Sequence, residues 1–463
     1  MAAKDVFDEG AALNAGVVLR WARAAGVVLA LGPAACAGHS EYTLPVRTAL
    51  DAGDTRGAIR LLDERMKVSA EGDLPADMGS DNALYVLDRG TLQQSILAFD
   101  RSKRDLEAAD KAIDMLDLSR GAGDSIGEYV FSGSSGRYRA PPYEKLLVNT
   151  LDMLNYLELR DLDGARVEAR RLAVMQRYIA DDLEEGDNAV LGLGGLLAGL
   201  VFEKSDQVDE ALRWYDQTLA FAGFRALQDP VRSLLPRGHY RSPRLEAIEK
   251  SAATTPAAPP DTGEILVVVG YGRVPHKIAH RVPIGLALTW EAGAMSPHDV
   301  ELANRMAAQG LVTWVNFPTL GREQGAYELP SCTLDGQPLA LDLAVDVTHQ
   351  VRGEWKKIEG KIIVSAITRL LARYAAGTLA GAAAGSDKLL AAVLSIGTQA
   401  TLAALDVPDT RSWETLPARV AVARVRVPAG KHQLRLRARG ATREAEVDVD
   451  QGGWAVVSLM ALR

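Results

Sequence analysis

Several residues in this 463-residue chain have types and spacings that could do chemistry. Residues 123–127 read Gly-Asp-Ser-Ile-Gly, the nucleophile-elbow string in which a strained turn lifts a serine hydroxyl above a sheet for activation by a base. The elbow needs a buried strand before Ser125 and a helix after it. Here a helical pattern ends near Leu118 and a Gly/Ser-rich loop, residues 120–142, follows. His276 and His280 stand four apart, the spacing that sets two imidazoles on one helix face to bind zinc. Pro275 and Pro283 bound a segment too short for a stable helix, and no glutamate lies between the histidines to act as base. Residues 267–273 place glycines after an apolar strand, where backbone amides can approach a phosphate. The third glycine of the dinucleotide fingerprint is missing, and Pro275 stands where a helix should begin. Cys332 sits alone in a turn with no base beside it. None of this forms a convincing catalytic constellation. The expectation is a protein with no catalytic residues, cofactor or metal, and the alternative is an envelope hydrolase or metal-dependent enzyme built on Ser125 or the histidine pair.

Cys36 carries a different chemistry. A basic segment with Arg20 and Arg23, an apolar run from residue 24 to 31, and small residues Ala34 and Ala35 lead up to it, which resembles the lipobox of secreted bacterial lipoproteins. The apolar run is too short to span a bilayer, which needs about 20 residues. Residues 1–36 therefore read as a signal peptide ending at a lipidated Cys36. Ala37 is not the aspartate that retains lipoproteins in the inner membrane, so the outer membrane, facing the periplasm, is the expected location. With Cys36 acylated, Cys332 has no disulfide partner, and stability must come from apolar cores. The net charge of −8 and the lack of a basic stripe with interleaved aromatics exclude sequence-independent nucleic-acid binding.

The elements that would carry these residues change character along the chain. Residues 42–250 show apolar positions at the helical period, broken by Gly and Asp turns. In one helix pair Gly199 and Phe202 precede Ala211 and Tyr215. That order of small residue, aromatic, small residue and aromatic resembles the tetratricopeptide pattern, in which small residues let antiparallel helices approach and aromatics fill the gap. A second pair repeats it with Tyr156, Ala165 and Ala169, and a weaker one carries Gly53, Ala58 and Leu62. Tyr156, Ala165, Phe202, Ala211 and Tyr215 are the candidate packing and groove residues. Residues 251–263, rich in Pro and Ala, read as a linker.

Beyond the linker the pattern predicts an α/β domain over 264–405. Its strands fall at 264–272, at 281–290, over Leu-Val-Thr-Trp-Val-Asn-Phe-Pro and over Leu-Ala-Leu-Asp-Leu-Ala-Val-Asp-Val. Helices are expected at 296–310 and 361–405. The second of these carries Gly377, Gly381 and Gly385, a small-residue ridge, and an uncharged run over 389–405. A membrane-inserting assembly built on that hairpin is a further alternative, although Asp387 and Lys388 at its centre favour burial in protein. Residues 406–463 alternate apolar and charged positions as an antiparallel sheet does. With Pro428, Gly430, His432, Gly440, Gly452 and Gly453 they resemble the small β module called PEGA, found on extracytoplasmic proteins and associated with adhesion or the cell wall.

Three stretches, residues 141–171, 268–285 and 409–432, together resemble an uncharacterised family of bacterial outer-membrane lipoproteins with tetratricopeptide-like helices. The resemblance implies no catalytic residues. Members encoded beside lipoprotein activators of penicillin-binding proteins make envelope biogenesis the implied setting. The resulting expectation is a multidomain, lipid-anchored periplasmic scaffold whose helical groove receives an envelope protein or peptide. Peptidoglycan or its synthases are the further partners expected, and the membrane is reached through the lipid.

Overall fold

Helices fill the N-terminal part of the chain because its apolar residues recur at the helical period, and they follow one another in antiparallel pairs. The computed structural model describes residues 38–463 apart from 70–72, 80, 114–137, 139, 183–189, 222–223, 252–260, 309–313, 326 and 384–406. The expected signal peptide with Cys36, most of the Ser125 loop, most of the expected Pro/Ala linker, Gly385 and the uncharged run 389–405 lie outside the described residues. The helices are α1 (His39–Asp51), α2 (Thr55–Met66), α3 (Asn82–Ser95), α4 (Phe99–Ala112), α5 (Pro142–Glu158), α6 (Leu162–Asp182), α7 (Leu191–Lys204) and α8 (Val208–Phe221), with α9 (Gln228–Leu234) and α10 (Pro243–Lys250) after them.

One turn recurs between paired helices. Gly53, Leu97, Arg160 and Asp206 all take left-handed φ, and the next residue (Asp54, Ala98, Asp161, Gln207) donates its N–H to the carbonyl five positions back. This is the Schellman closure of a helix, which normally uses glycine. Only the first of the four positions has it, so the signal is faint in the sequence. Leu97 is exposed there with φ 63°, where a Cβ is strained. Leu97→Gly is therefore expected to raise stability by about 1 kcal/mol, read as a higher urea midpoint.

Within pairs, bare glycine lets rings and branched side chains lie on backbone. A Cβ on Gly199 would stand 2.2 Å from the Tyr215 ring, one on Gly164 2.1 Å from the Tyr156 ring, and one on Gly90 2.9 Å from Leu106.

The strands are β1 (Thr262–Tyr271), β2 (Lys277–Pro283), β3 (Trp314–Leu320), β4 (Ser331–Leu334), β5 (Gln337–Leu339), β6 (Asp342–Asp346), β7 (Arg419–Pro428), β8 (Gly430–Ala438), β9 (Ala441–Val449) and β10 (Trp454–Ala461). A mixed sheet runs β10-β1-β7-β6, with β1 parallel to β10 and antiparallel to β7. A second, antiparallel sheet runs β5-β4-β8-β9, and β2 pairs with β3. The mixed sheet is buried on both faces, which is why β1 reads as a continuous apolar run. Leu266, Val268, Val420, Val422 and Met460 join the helical core, whereas Ile265, Val267, Val269, Ala423 and Leu459 pack with Leu434, Leu436 and Val447 of the second sheet. Helices, mixed sheet and outer sheet thus form three layers.

This layering corrects the expected domain boundaries. Residues 43–278, 318–362 and 410–463 form one compact unit, and 279–317 with 363–409 belong to a second. The helices before residue 251, the strand β1 and residues 410–463 all belong to the first of these units. β7 and β10 flank β1, while β8 and β9 belong to the other sheet. The apolar alternation was visible, but not which strands it would join.

In the smaller unit, the strand expected at 281–290 stops at Pro283, and α11 (Ile284–Glu291) follows because Ile284, Ala287 and Leu288 repeat at helical spacing and are buried. Trp290 meets Phe317 edge-on there, and His280 lies tilted against the same ring. The helix α12 (Pro297–Ala308) lies where expected. The long helix begins earlier than expected: α13 spans Val347–Ala383, because Asp346 ends β6 and accepts the His349 N–H as a cap. Gly377 and Gly381 fall within it.

Candidate functional site

Residues 410–418 have no regular secondary structure and are buried throughout. Buried irregular chain is uncommon because every backbone polar group in it needs a partner. Side chains of the helical array supply them. Glu144 of α5 accepts the Trp413 N–H at 3.1 Å, and Asp88 of α3 accepts both the Thr415 N–H at 3.0 Å and its hydroxyl at 2.8 Å. Thr91 of α3 meets the Thr415 hydroxyl and accepts the Trp413 indole N–H at 3.4 Å. Arg47 of α1 pairs with Glu414 at 2.6 Å. The chain after β1 closes the other side: Val274 donates to the Leu416 carbonyl, and Ala418 to that of Gly272. The array therefore holds an irregular, buried segment of its own chain.

Glu144 is the electrostatic centre. It is wholly buried, and burial raises its pKa even though Tyr138 donates at 2.5 Å, the Trp413 amide donates, and Lys277 and Tyr143 also favour the charge. Glu354 on α13 is pushed up to about 7 by burial, with Glu144 adding repulsion against the help of Gln350 and Lys357. Lys277 lies 5.9 Å over the Trp355 ring. Nearby, Arg273 pairs with Asp51, while its Nε and Nη1, Glu414 Oε1 and Trp355 Nε1 are buried without a hydrogen-bond partner among the described residues. Burial holds the His276 pKa below its usual value. Chemically the arrangement is a binding one: each donor to Glu144 orients it toward a peptide N–H.

Between α5 and α6 the acid Asp152 is pushed up to about 8, first by burial and then by Glu168. A folded-state pKa far above the ordinary 3.8 means that the native state holds the extra proton. Stability should then fall as pH rises from about 4 to about 8 and level off above. Asp152→Asn should flatten that slope, and Glu354→Gln should do so over a window closing near 7. Thermal melts across this range check both, and unchanged slopes would refute them.

The other candidates fall elsewhere. Ala165, Ala211, Phe202 and Tyr215 are buried inside helix pairs. Tyr156 is half-buried, and its hydroxyl donates to Glu107 at 2.5 Å. Tyr215 also ties the array to the sheet: its hydroxyl donates to Glu203 and accepts from Arg424 of β7. His280 lies on β2 and His276 on irregular chain just before it, so the helical pairing that the four-residue spacing suggested is not formed. Gly272 turns into an isolated bridge between Arg273 and Gln324 instead of a helix, so no phosphate loop forms. Cys332 faces the sandwich core, with its thiol pushed up to about 11 by burial. No group of three or more metal-binding side chains occurs among the described residues.

Sequence reasoning assigned no role to Glu144, Asp88, Arg273 or Trp413. The stretch Asp-Thr-Arg-Ser-Trp-Glu-Thr looks like a solvated loop, and only its tryptophan hints at burial. Three stretches distant in sequence meet here, through Glu144, through Arg273 and Lys277, and through 410–416. No family model, curated protein or solved structure matches the chain.

Proposed function

We propose that the chain is a lipid-anchored periplasmic scaffold or adaptor of the outer membrane, whose tetratricopeptide-like array holds proteins of the cell envelope. The observation that carries this reading is the array's hold on residues 410–418, in which Glu144 of α5 and Asp88 of α3 accept the backbone N–H groups of Trp413 and Thr415. The recurring turn and the glycine contacts support a repeat of the tetratricopeptide kind. Because that polar face is filled by the chain itself, an envelope protein or peptide, such as a peptidoglycan synthase, would be received on the outer face. There α6 exposes Val167 and Val174 beside Arg170 and Arg177. The reading gives membrane attachment to the lipid on Cys36; no described helix is long and apolar enough to cross a membrane.

Complementation of a deletion strain tests the reading. Cys36→Ser should release the protein into the soluble periplasm, and Ser125→Ala and His276→Ala should leave function intact. Tyr156→Ala should impair it through lost packing of about 2 kcal/mol or more. A stably folded Ser125→Ala or His276→Ala protein without function would overturn the scaffold in favour of an enzyme.

A further inference from the structure

The N-terminal half of α13 carries a cationic face that nothing in the chain uses. At 100° per residue, His349, Arg352, Lys356, Lys357 and Lys361 fall within one half of the helix circumference, and all five are exposed. Glu354 and Glu359, both half-buried, flank that half on either side, about 20° beyond its ends. Arg352, Lys356, Lys357 and Lys361 make no hydrogen bond or ion pair with a described residue; Lys357 only feels the field of Glu354. The crest between the two basic rows is formed by Gly353 and Gly360, and a Cβ at Gly353 would meet nothing within 4 Å. Four unpaired cations within about 13 Å of helix, in a chain of net charge −8, are a local inversion of sign that self-attraction inside the molecule does not explain.

We propose that this face docks on an anionic phospholipid surface. A protein partner would be anchored by aromatic or apolar side chains in pockets, and a single-stranded nucleic acid by stacking aromatics; the glycine crest offers neither. A headgroup layer requires only charge carried on long flexible arms, which lysine and arginine supply around bare backbone. The inference goes beyond the scaffold reading and stands apart from the lipid on Cys36, since the face acts without an acyl chain.

The test uses the full chain carrying Cys36→Ser, sedimented with vesicles of phosphatidylcholine alone or of phosphatidylcholine mixed with phosphatidylglycerol. Binding is expected only to the mixed vesicles and should be lost as salt is raised to about 0.5 M, because screening cuts surface attraction. Lys356→Glu with Lys357→Glu should weaken binding more than about tenfold, with an unchanged melting temperature. Arg426→Glu with Arg437→Glu, which alters net charge equally at exposed strand positions, should bind as before. Equal binding to both vesicle types, or equal loss in the two double variants, overturns the proposal. Binding of poly-glutamate in preference to the mixed vesicles also overturns it and reassigns the face to an acidic protein. None of these outcomes bears on whether the array is a scaffold.

Discussion

Trp413→Ala is expected to destabilise the protein by about 3–5 kcal/mol, the cost of emptying a large aromatic site in a core that relaxes only partly. Trp413 is completely buried, and its indole and amide N–H groups reach Thr91 and Glu144. Removing the ring leaves a cavity between helices and the chain after β1, and the loosened segment no longer satisfies Glu144. The check is the urea midpoint of the variant, with a loss below about 1 kcal/mol counting against a seated segment. Trp413→Phe, which keeps most of the volume and forfeits only the Thr91 contact, should recover most of the stability.

Arg424→Met should cost a similar amount and give the opposite response to acid. Arg424 donates to Glu264 at 2.6 and 2.7 Å, to Glu203 at 2.7 Å and to the Tyr215 hydroxyl at 2.8 Å, and Lys204 completes the network with a 2.7 Å bond to Glu264. Burial alone would raise the pKa of Glu264, but Arg424 and Lys204 outweigh it and push the value down to about 2. In the native protein this carboxylate contributes stability that is present above its ordinary 4.5 and lost as pH falls toward 2. Without the guanidinium, two buried carboxylates face one lysine, a loss of about 3–5 kcal/mol near neutral pH. Protonation relieves the strain, so the gap between native and variant melting temperatures should narrow toward pH 4. A gap that widens in acid would show that the network is not what the substitution removes.

The helices and the alternation of late strands were legible because burial imposes a period on the sequence: Val208, Ala211, Leu212 and Tyr215 announce α8, and Gln433 to Ala438 announce β8. The boundary between strand and helix at Pro283 was not, since Ile284, Ala287 and Leu288 mark barely more than one helical turn within a mostly apolar stretch. Layer membership was equally hidden. Val420 and Ala421 belong to opposite cores, and nothing local says which partner each face will meet. The site itself was obscured for a physical reason. Glu144, Asp88 and Arg273 are charged residues, which sequence reasoning places at the surface unless their partners are known, and those partners lie hundreds of positions away. Gly199 and Tyr215 were paired correctly because both sit within one helical hairpin.

The parallel register of β1 with β10, from Glu264 opposite Trp454 to Tyr271 opposite Ala461, also sets an order of events. Contacts of such long sequence separation form late, whereas helical hairpins close through neighbours. A chain emerging from its N-terminal end can complete the helix pairs early but must keep one hydrogen-bonding edge of β1 unpaired until residue 461 arrives. During that interval the strand is an open, apolar edge of the kind that recruits other chains. A chain shortened before Trp454 would remain in that state, and its fate should be aggregation or proteolysis and not a smaller folded protein.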